Sequence, residues 1–144
     1  MRKINVLFTA VCGWPTHATV SALRQSKEYE YEVVGVDCNP NPAALNYVDF
    51  LYKVPRCNDP SYIDDILEIC TKHNINIIIP LISEDIEPFY DNLDRINTMG
   101  IQVLISDRQS GLLTANDKFT LYSPIFGIVK SILCRKQSHI TQIR

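Results

Sequence analysis

A chain of 144 residues with 14 basic and 16 acidic side chains, a net charge of −2 and an apolar share of 46% has the composition of an ordinary globular protein. That excludes global disorder and a two-lobed enzyme, and leaves one domain large enough to hold a core without metal or disulfide staples. The charge is uneven: residues 1–122 carry −6, whereas residues 123–144 hold Lys130, Arg135, Lys136 and Arg144 and no acid.

The run 4–11 (Ile-Asn-Val-Leu-Phe-Thr-Ala-Val) is nearly all apolar and β-favouring, which predicts a strand buried on both faces and then a turn at Cys12-Gly13-Trp14-Pro15. Pro15 suits the first turn of a helix reaching about Lys27, followed by a polar connection at Glu28-Tyr29-Glu30. Val33–Val36 predicts a second strand stopped at Asp37, because Asn39-Pro40-Asn41-Pro42 cannot enter a helix interior. A helical turn near Ala43–Tyr47 leads to a third strand at about Phe50–Val54, closed by Pro55.

Asp59-Pro60 opens a helix whose apolar residues Ile63, Ile66, Leu67 and Cys70 recur at helical spacing, ending near His73-Asn74. Ile75–Leu81 is the most apolar strand, and so is expected at the centre of a sheet. Ser83 reads as an N-cap, with Glu84 and Asp85 in the first turn of a helix that runs to Met99 and stops at Gly100. Ile101–Ile105 is a fifth strand. Strands alternating with helices predict an α/β, Rossmann-like three-layer fold with a five-stranded parallel sheet. Further on, 107–113 reads as a helical turn and 116–122 as a helical segment. Ile125, Ile128, Val129, Ile132 and Leu133 share one helical face, either as a cover for the sheet or as a homodimer stripe.

In an open α/β sheet, ligands gather beyond the carboxyl ends of the strands, which singles out Gly13, Asp37, Asn39, Ser83, Glu84 and Ser106. A dinucleotide pyrophosphate needs G-x-G-x-x-G in the first βα turn, and only Gly13 is present. Asp37 stands where a ribose-binding acid would be, or caps Asn39-Pro40; Ser83 and Glu84 either face a ligand or serve the helix start. The five cysteines form no CxxC pair, and His17, His73 and His139 have no partner at metal-ligand spacing, so a reducing cytoplasm is expected and a metal site is not. The acidity of residues 1–122 argues against nucleic acid. The apolar run at Ile75–Ile82 contains Asn76 and Pro80 and falls far short of the ~20 residues of a membrane helix.

Taken in order, Ile4–Gly13, Val33-Val34-Gly35-Val36-Asp37-Cys38-Asn39-Pro40, Val54-Pro55-Arg56, Asp59-Pro60-Ser61-Tyr62-Ile63, Ile77-Ile78-Ile79-Pro80, Gly100–Ile105 and Asn116-Asp117-Lys118 carry a resemblance. The series resembles the N-terminal, pre-ATP-grasp domain of the ATP-grasp ligases, among them the carbamoyl-phosphate synthase large-subunit-like and pyrrolysine-biosynthesis-ligase-like members. It covers about residues 3–122, so that 1–122 would be the domain and 123–144 a C-terminal tail unlike the family.

The resemblance implies a lobe that forms one wall of a site where a small-molecule carboxylate is joined to an amine through an acylphosphate, using ATP and Mg2+ held by two following lobes. By position, Lys118 would contact the ATP phosphates, and Gly13, Asp37, Asn39, Ser83 and Glu84 would face the substrate; no catalytic residue or metal ligand is implied in this stretch. Cys12 and Trp14-Pro15 depart from the family's glycine-rich turn. Ser123–Arg144 has no acid to bind magnesium. The expectation is therefore a catalytically incomplete lobe, inactive alone or dependent on catalytic lobes carried elsewhere. The alternative is a free-standing Rossmann-like nucleotide- or dinucleotide-binding module.

Overall fold

The computed structural model describes residues 2–106. Among them, β1 (Arg2–Phe8), β2 (Tyr29–Asp37), β3 (Phe50–Lys53), β4 (Ile77–Ile79) and β5 (Gln102–Val103) form one five-stranded sheet in the order β3-β2-β1-β4-β5. Every pairing is parallel. Helices α1 (Thr16–Arg24), α2 (Tyr62–His73), α3 (Ile86–Asp91) and α4 (Leu93–Thr98) connect the strands, with 3-10 turns at Pro42–Asn46 and Ser83–Asp85.

Side-chain alternation along the strands splits the core into two layers. Val6, Phe8 and Val33 face Val20 of α1 together with Ala44 and Val48. Leu7, Val34, Val36 and Ile78 face Ile66 and Leu67 of α2, Phe89 of α3 and Ile96 of α4. With helices on both faces, this is the expected Rossmann-like three-layer arrangement. Each fully buried Val, Leu, Ile or Phe side chain contributes roughly 1.5–3 kcal/mol. The half-exposed ion pair Arg24–Asp49 at 2.9 Å is worth at most about 1 kcal/mol, so burial and not surface charge holds the layers together.

Several expected boundaries move. β1 stops at Phe8, not Val11, because the Thr9 side chain turns to a neighbouring loop and Ala10 enters the left-handed region at φ 48°. β2 begins at Tyr29: the supposed polar connection pairs with β1 in the register Arg2↔Tyr29 through Phe8↔Gly35. β3 joins only at Val34↔Phe50, so Tyr29–Glu32 have a strand neighbour on one side alone among the described residues. The centre of the sheet is β1, with β4 next to it. The helix expected over 83–99 is broken at Asn92, whose side-chain amide donates to the Pro88 carbonyl at 3.0 Å and competes with the backbone for it. Ser83 makes no cap bond, whereas Gly100, at φ 76°, does end α4's last turn before β5. The features expected over 107–144, with the boundary at 122, lie outside the described residues.

At the amino edge, the end of α2 is fastened to three strands. The Asn5 amide donates to the His73 carbonyl at 2.7 Å, and the His73 ring lies between Tyr52 Oη at 2.8 Å and Glu32 Oε1 at 3.4 Å. Glu32 also receives Lys3 Nζ at 2.6 Å; that bond, then His73, holds its carboxyl below the usual range against the opposing effect of burial.

At the other end, Val11 folds back over β2 and is fully buried. A Cβ built on Gly35 would lie 2.8 Å from Val11 Cγ2 and 2.9 Å from Cγ1, so only glycine admits this approach. Gly35→Ala is expected to cost about 1–3 kcal/mol of unfolding free energy through overpacking, read by urea denaturation; an unchanged midpoint would show that Val11 moves aside freely.

Candidate functional site

The sheet reverses its direction of growth between β1 and β4, the place where an open α/β sheet leaves a crevice beyond its carboxyl ends. A cavity of about 430 Å³ lies at those ends, walled by Ala10 after β1, Asp37 and Cys38 at the end of β2, Val54–Asn58 after β3, Tyr62 at the start of α2, and Ile82, Glu84 and Asp85 after β4. Its apolar walls come from Val54, Pro55 and Ile82. Three acids, Asp37, Glu84 and Asp85, and one cation, the exposed Arg56, are among the described lining residues.

Asp85 is 2% exposed, and its Oδ2 accepts from Thr9 Oγ1 at 2.5 Å. Thr9 Oγ1 in turn accepts from the Leu81 amide at 3.3 Å, so one hydroxyl ties the end of β1 to the loop after β4. The buried Tyr62 hydroxyl is within hydrogen-bonding reach of the same carboxylate. Burial pushes the Asp85 carboxyl above the ordinary range, the Thr9 and Tyr62 hydroxyls partly offset it, and the nearby charges of Glu84 and Asp37 push it further up. Burial, then the charge of Asp85, also drives the Tyr62 phenol far above its usual value. The Cys57 thiol is raised by burial and by Asp85 and Glu84. The pocket thus pairs a carboxyl inclined to keep its proton with an arginine able to meet an anion.

Of the residues singled out from sequence, Asp37 and Glu84 line this pocket. Asp37 also pins two loops: its Oδ2 accepts the Cys12 amide at 3.0 Å and its Oδ1 the Asn39 amide at 2.9 Å. Gly13, Asn39 and Ser83 are not among the residues that line the pocket, and Lys118 lies outside the described residues. Gly13 sits in the first βα turn, where its amide donates to the Ala10 carbonyl at 2.9 Å. Thr9, Arg56, Cys57, Tyr62 and Asp85 were not singled out. Arg56 could have been found as the charged residue after the proline that closes β3, and Asp85 as the neighbour of Glu84.

Several amides of the first βα loop are taken up within the fold. The Val11 amide donates to the Val36 carbonyl at 3.1 Å, Cys12 to Asp37, Gly13 to Ala10 and Thr16 to the Gly13 carbonyl at 3.4 Å, while Pro15 has no amide proton. Among the described residues no three His, Cys, Asp or Glu side chains are placed to hold a metal ion, and no helix is long and apolar enough to cross a membrane.

A family model described as PylC-like, N-terminal domain matches residues 9–104, two thirds of the chain. No curated protein matches it. Among solved structures, dTDP-glucose 4,6-dehydratase from Bacillus anthracis in complex with NAD is similar at 19% identity and a TM-score of 0.49, over 69% of this chain and 36% of that one. The chain therefore spans about a third of that enzyme's length.

A carboxyl raised above its unfolded value contributes stability below the unfolded pKa and loses it as pH rises through the folded pKa. The unfolding free energy of the wild type relative to Asp85→Asn, which keeps an oxygen for Thr9, is therefore expected to fall steadily as pH rises from 4 to 7. A difference that stays flat over that window would mean that Asp85 ionises as an ordinary carboxylate.

Proposed function

This chain belongs to the PylC-like N-terminal domain family, and from that membership we propose that it is the substrate-facing lobe of an ATP-grasp carboxylate–amine ligase, carbamoyl-phosphate synthase large-subunit-like. The observation that carries the reading is the pocket at the carboxyl ends of the strands, which Arg56 lines together with Asp37, Glu84 and Asp85. Arg56 would meet the carboxylate of a small-molecule substrate, with charge-assisted hydrogen bonds the source of its selectivity. The apolar wall of Val54, Pro55 and Ile82 would receive the substrate's carbon skeleton and exclude water from one side of it.

The acyl transfer itself calls for a nucleotide and a metal, which in this reading supply phosphoryl activation of the carboxylate. In the first loop the Val11, Cys12, Gly13 and Thr16 amides are taken up within the fold, and among the described residues no three His, Cys, Asp or Glu side chains are placed to hold a metal ion. We assign ATP and Mg2+ to catalytic lobes on the same polypeptide or on a separate one, with Lys118 as the phosphate contact that the resemblance implies. The lobe alone would then be catalytically silent, acting in the reducing cytoplasm that its unpaired thiols suit.

Nuclear magnetic resonance titration of the chain with the proteinogenic amino acids, with ATP and Mg2+ added in parallel, tests this. The expected result is shifts confined to residues 37–38, 54–58 and 82–85, weakened about tenfold or more by Arg56→Ala, with no ADP released. Robust ADP release would overturn the incomplete-lobe reading. Shifts in the loop 11–16 on addition of NAD would favour a dinucleotide-binding module instead.

A further inference from the structure

We propose that Cys12 and Cys38 are a redox pair, which a small-molecule disulfide of the glutathione class converts into an intramolecular disulfide at the rim of the pocket. The proposal does not rest on the ligase reading. It starts from the way the first loop stays attached to β2 after β1 has ended. The Val11 amide reaches the Val36 carbonyl at 3.1 Å, and the Cys12 amide reaches Asp37 Oδ2 at 3.0 Å, so residue 12 lies against the turn that carries Cys38. The Cys12 sulfur faces the same turn, because the Asn41 amide donates to Sγ at 3.1 Å. Cys12 lies four residues beyond the end of β1, held by its amide to Asp37 and by its sulfur to Asn41, on either side of Cys38 in sequence. A disulfide spans Cα separations of roughly 4.4–6.8 Å, so the bridge calls for rotation of both side chains and a shift of the turn 37–41 toward residue 12.

The two thiols also have the unequal exposure that orders the chemistry. Cys38 is exposed and lines the pocket, and Cys12 is half-buried against the core layer of Phe8, Val11 and Val20. The other described thiols are placed for neither step. Cys70 sits in the core at 1% exposure, where burial pushes its pKa up to about 12. Cys57 is half-buried beside Asp85 and Glu84, whose charges disfavour its thiolate.

In the first step the Cys38 thiolate attacks one sulfur of the small-molecule disulfide, whose S–S bond breaks, releasing one thiolate and leaving a mixed disulfide on Cys38. In the second the Cys12 thiolate attacks the Cys38 sulfur and expels the second small thiol. Two protein thiols are oxidised, one external disulfide is reduced to two thiols, and excess thiol reverses both steps. Burial and the Asp37 charge hold the Cys12 thiol above its usual pKa, so the second step is expected to quicken as pH rises. Once formed, the bond would draw the first loop onto the turn 37–41 and reshape the pocket wall formed by Asp37 and Cys38.

Trypsin separates the partners, since Cys12 falls in the peptide 4–24, Cys38 in 28–53, and Cys57 with Cys70 in 57–72. After the full chain has been incubated with oxidised glutathione and digested without reductant, mass spectrometry should find 4–24 linked to 28–53, the two hydrogens lost being restored by dithiothreitol. In Cys12→Ser, whose hydroxyl can still accept from the Asn41 amide, Cys38 should stop at the glutathione mixed disulfide. A link between 28–53 and 57–72, a stable glutathione adduct on Cys38 of the wild type, or no reaction would each overturn the proposal. Should the variant fail to fold, the wild-type digest by itself still separates these outcomes.

Discussion

The closeness of Val11 to Gly35 governs the carboxyl edge of this domain. With no Cβ on Gly35 the chain can leave β1 and press straight down on β2, and the turn forces Ala10 into the left-handed region at φ 48°. A conformation of that kind costs of order 1–3 kcal/mol and persists only where surrounding contacts over-determine it. Here they do: the Val11, Cys12 and Gly13 amides each find an acceptor within the fold. With those three amides taken up, the pocket lies one step to the side of the first turn, beside the ends of β2 and β3.

Electrostatics gives that surface its character. Asp85 is buried where solvation cannot support its charge, and two hydroxyls, from Thr9 and Tyr62, replace only part of the lost water. The arrangement couples three segments distant in sequence through one carboxyl group. Movement of the loop after β4 must disturb the end of β1 and the start of α2 together. Arg56, exposed on the wall of the same pocket, makes no such tie among the described residues.

Much of the scaffold was legible in the residues. Apolar β-favouring runs between helical periodicities give the parallel sheet, and Pro55 and Gly100 mark ends that the structure respects. Boundaries failed where tertiary contacts outweighed local pattern. Tyr29 and Glu30 look like a polar link but are strand, because Arg2 and Lys3 pair with them; Asn92 looks neutral in a helix but breaks it by taking the Pro88 carbonyl. Within the site, Asp37 and Glu84 were visible as acids at strand ends. Asp85 was not, since the groups that meet its carboxyl, Thr9 and Tyr62, are distant from it in sequence. Arg56 was marked only by its place after Pro55, because among the described residues nothing pairs with its side chain.

The amino half of β2, without a strand on one side among the described residues, has a bearing on how the domain behaves in a crowded solution. An open strand edge invites a second chain to add to it, which is the first step toward aggregation. Here the outward positions carry Glu30 and Glu32 beside Lys3, and Asp49 closes the edge by accepting the Val33 amide at 2.8 Å while its own amide takes the Val33 carbonyl at the same distance. A newcomer strand would have to bury those charges and dislodge that plug. Charge and plug together guard this edge against strand addition.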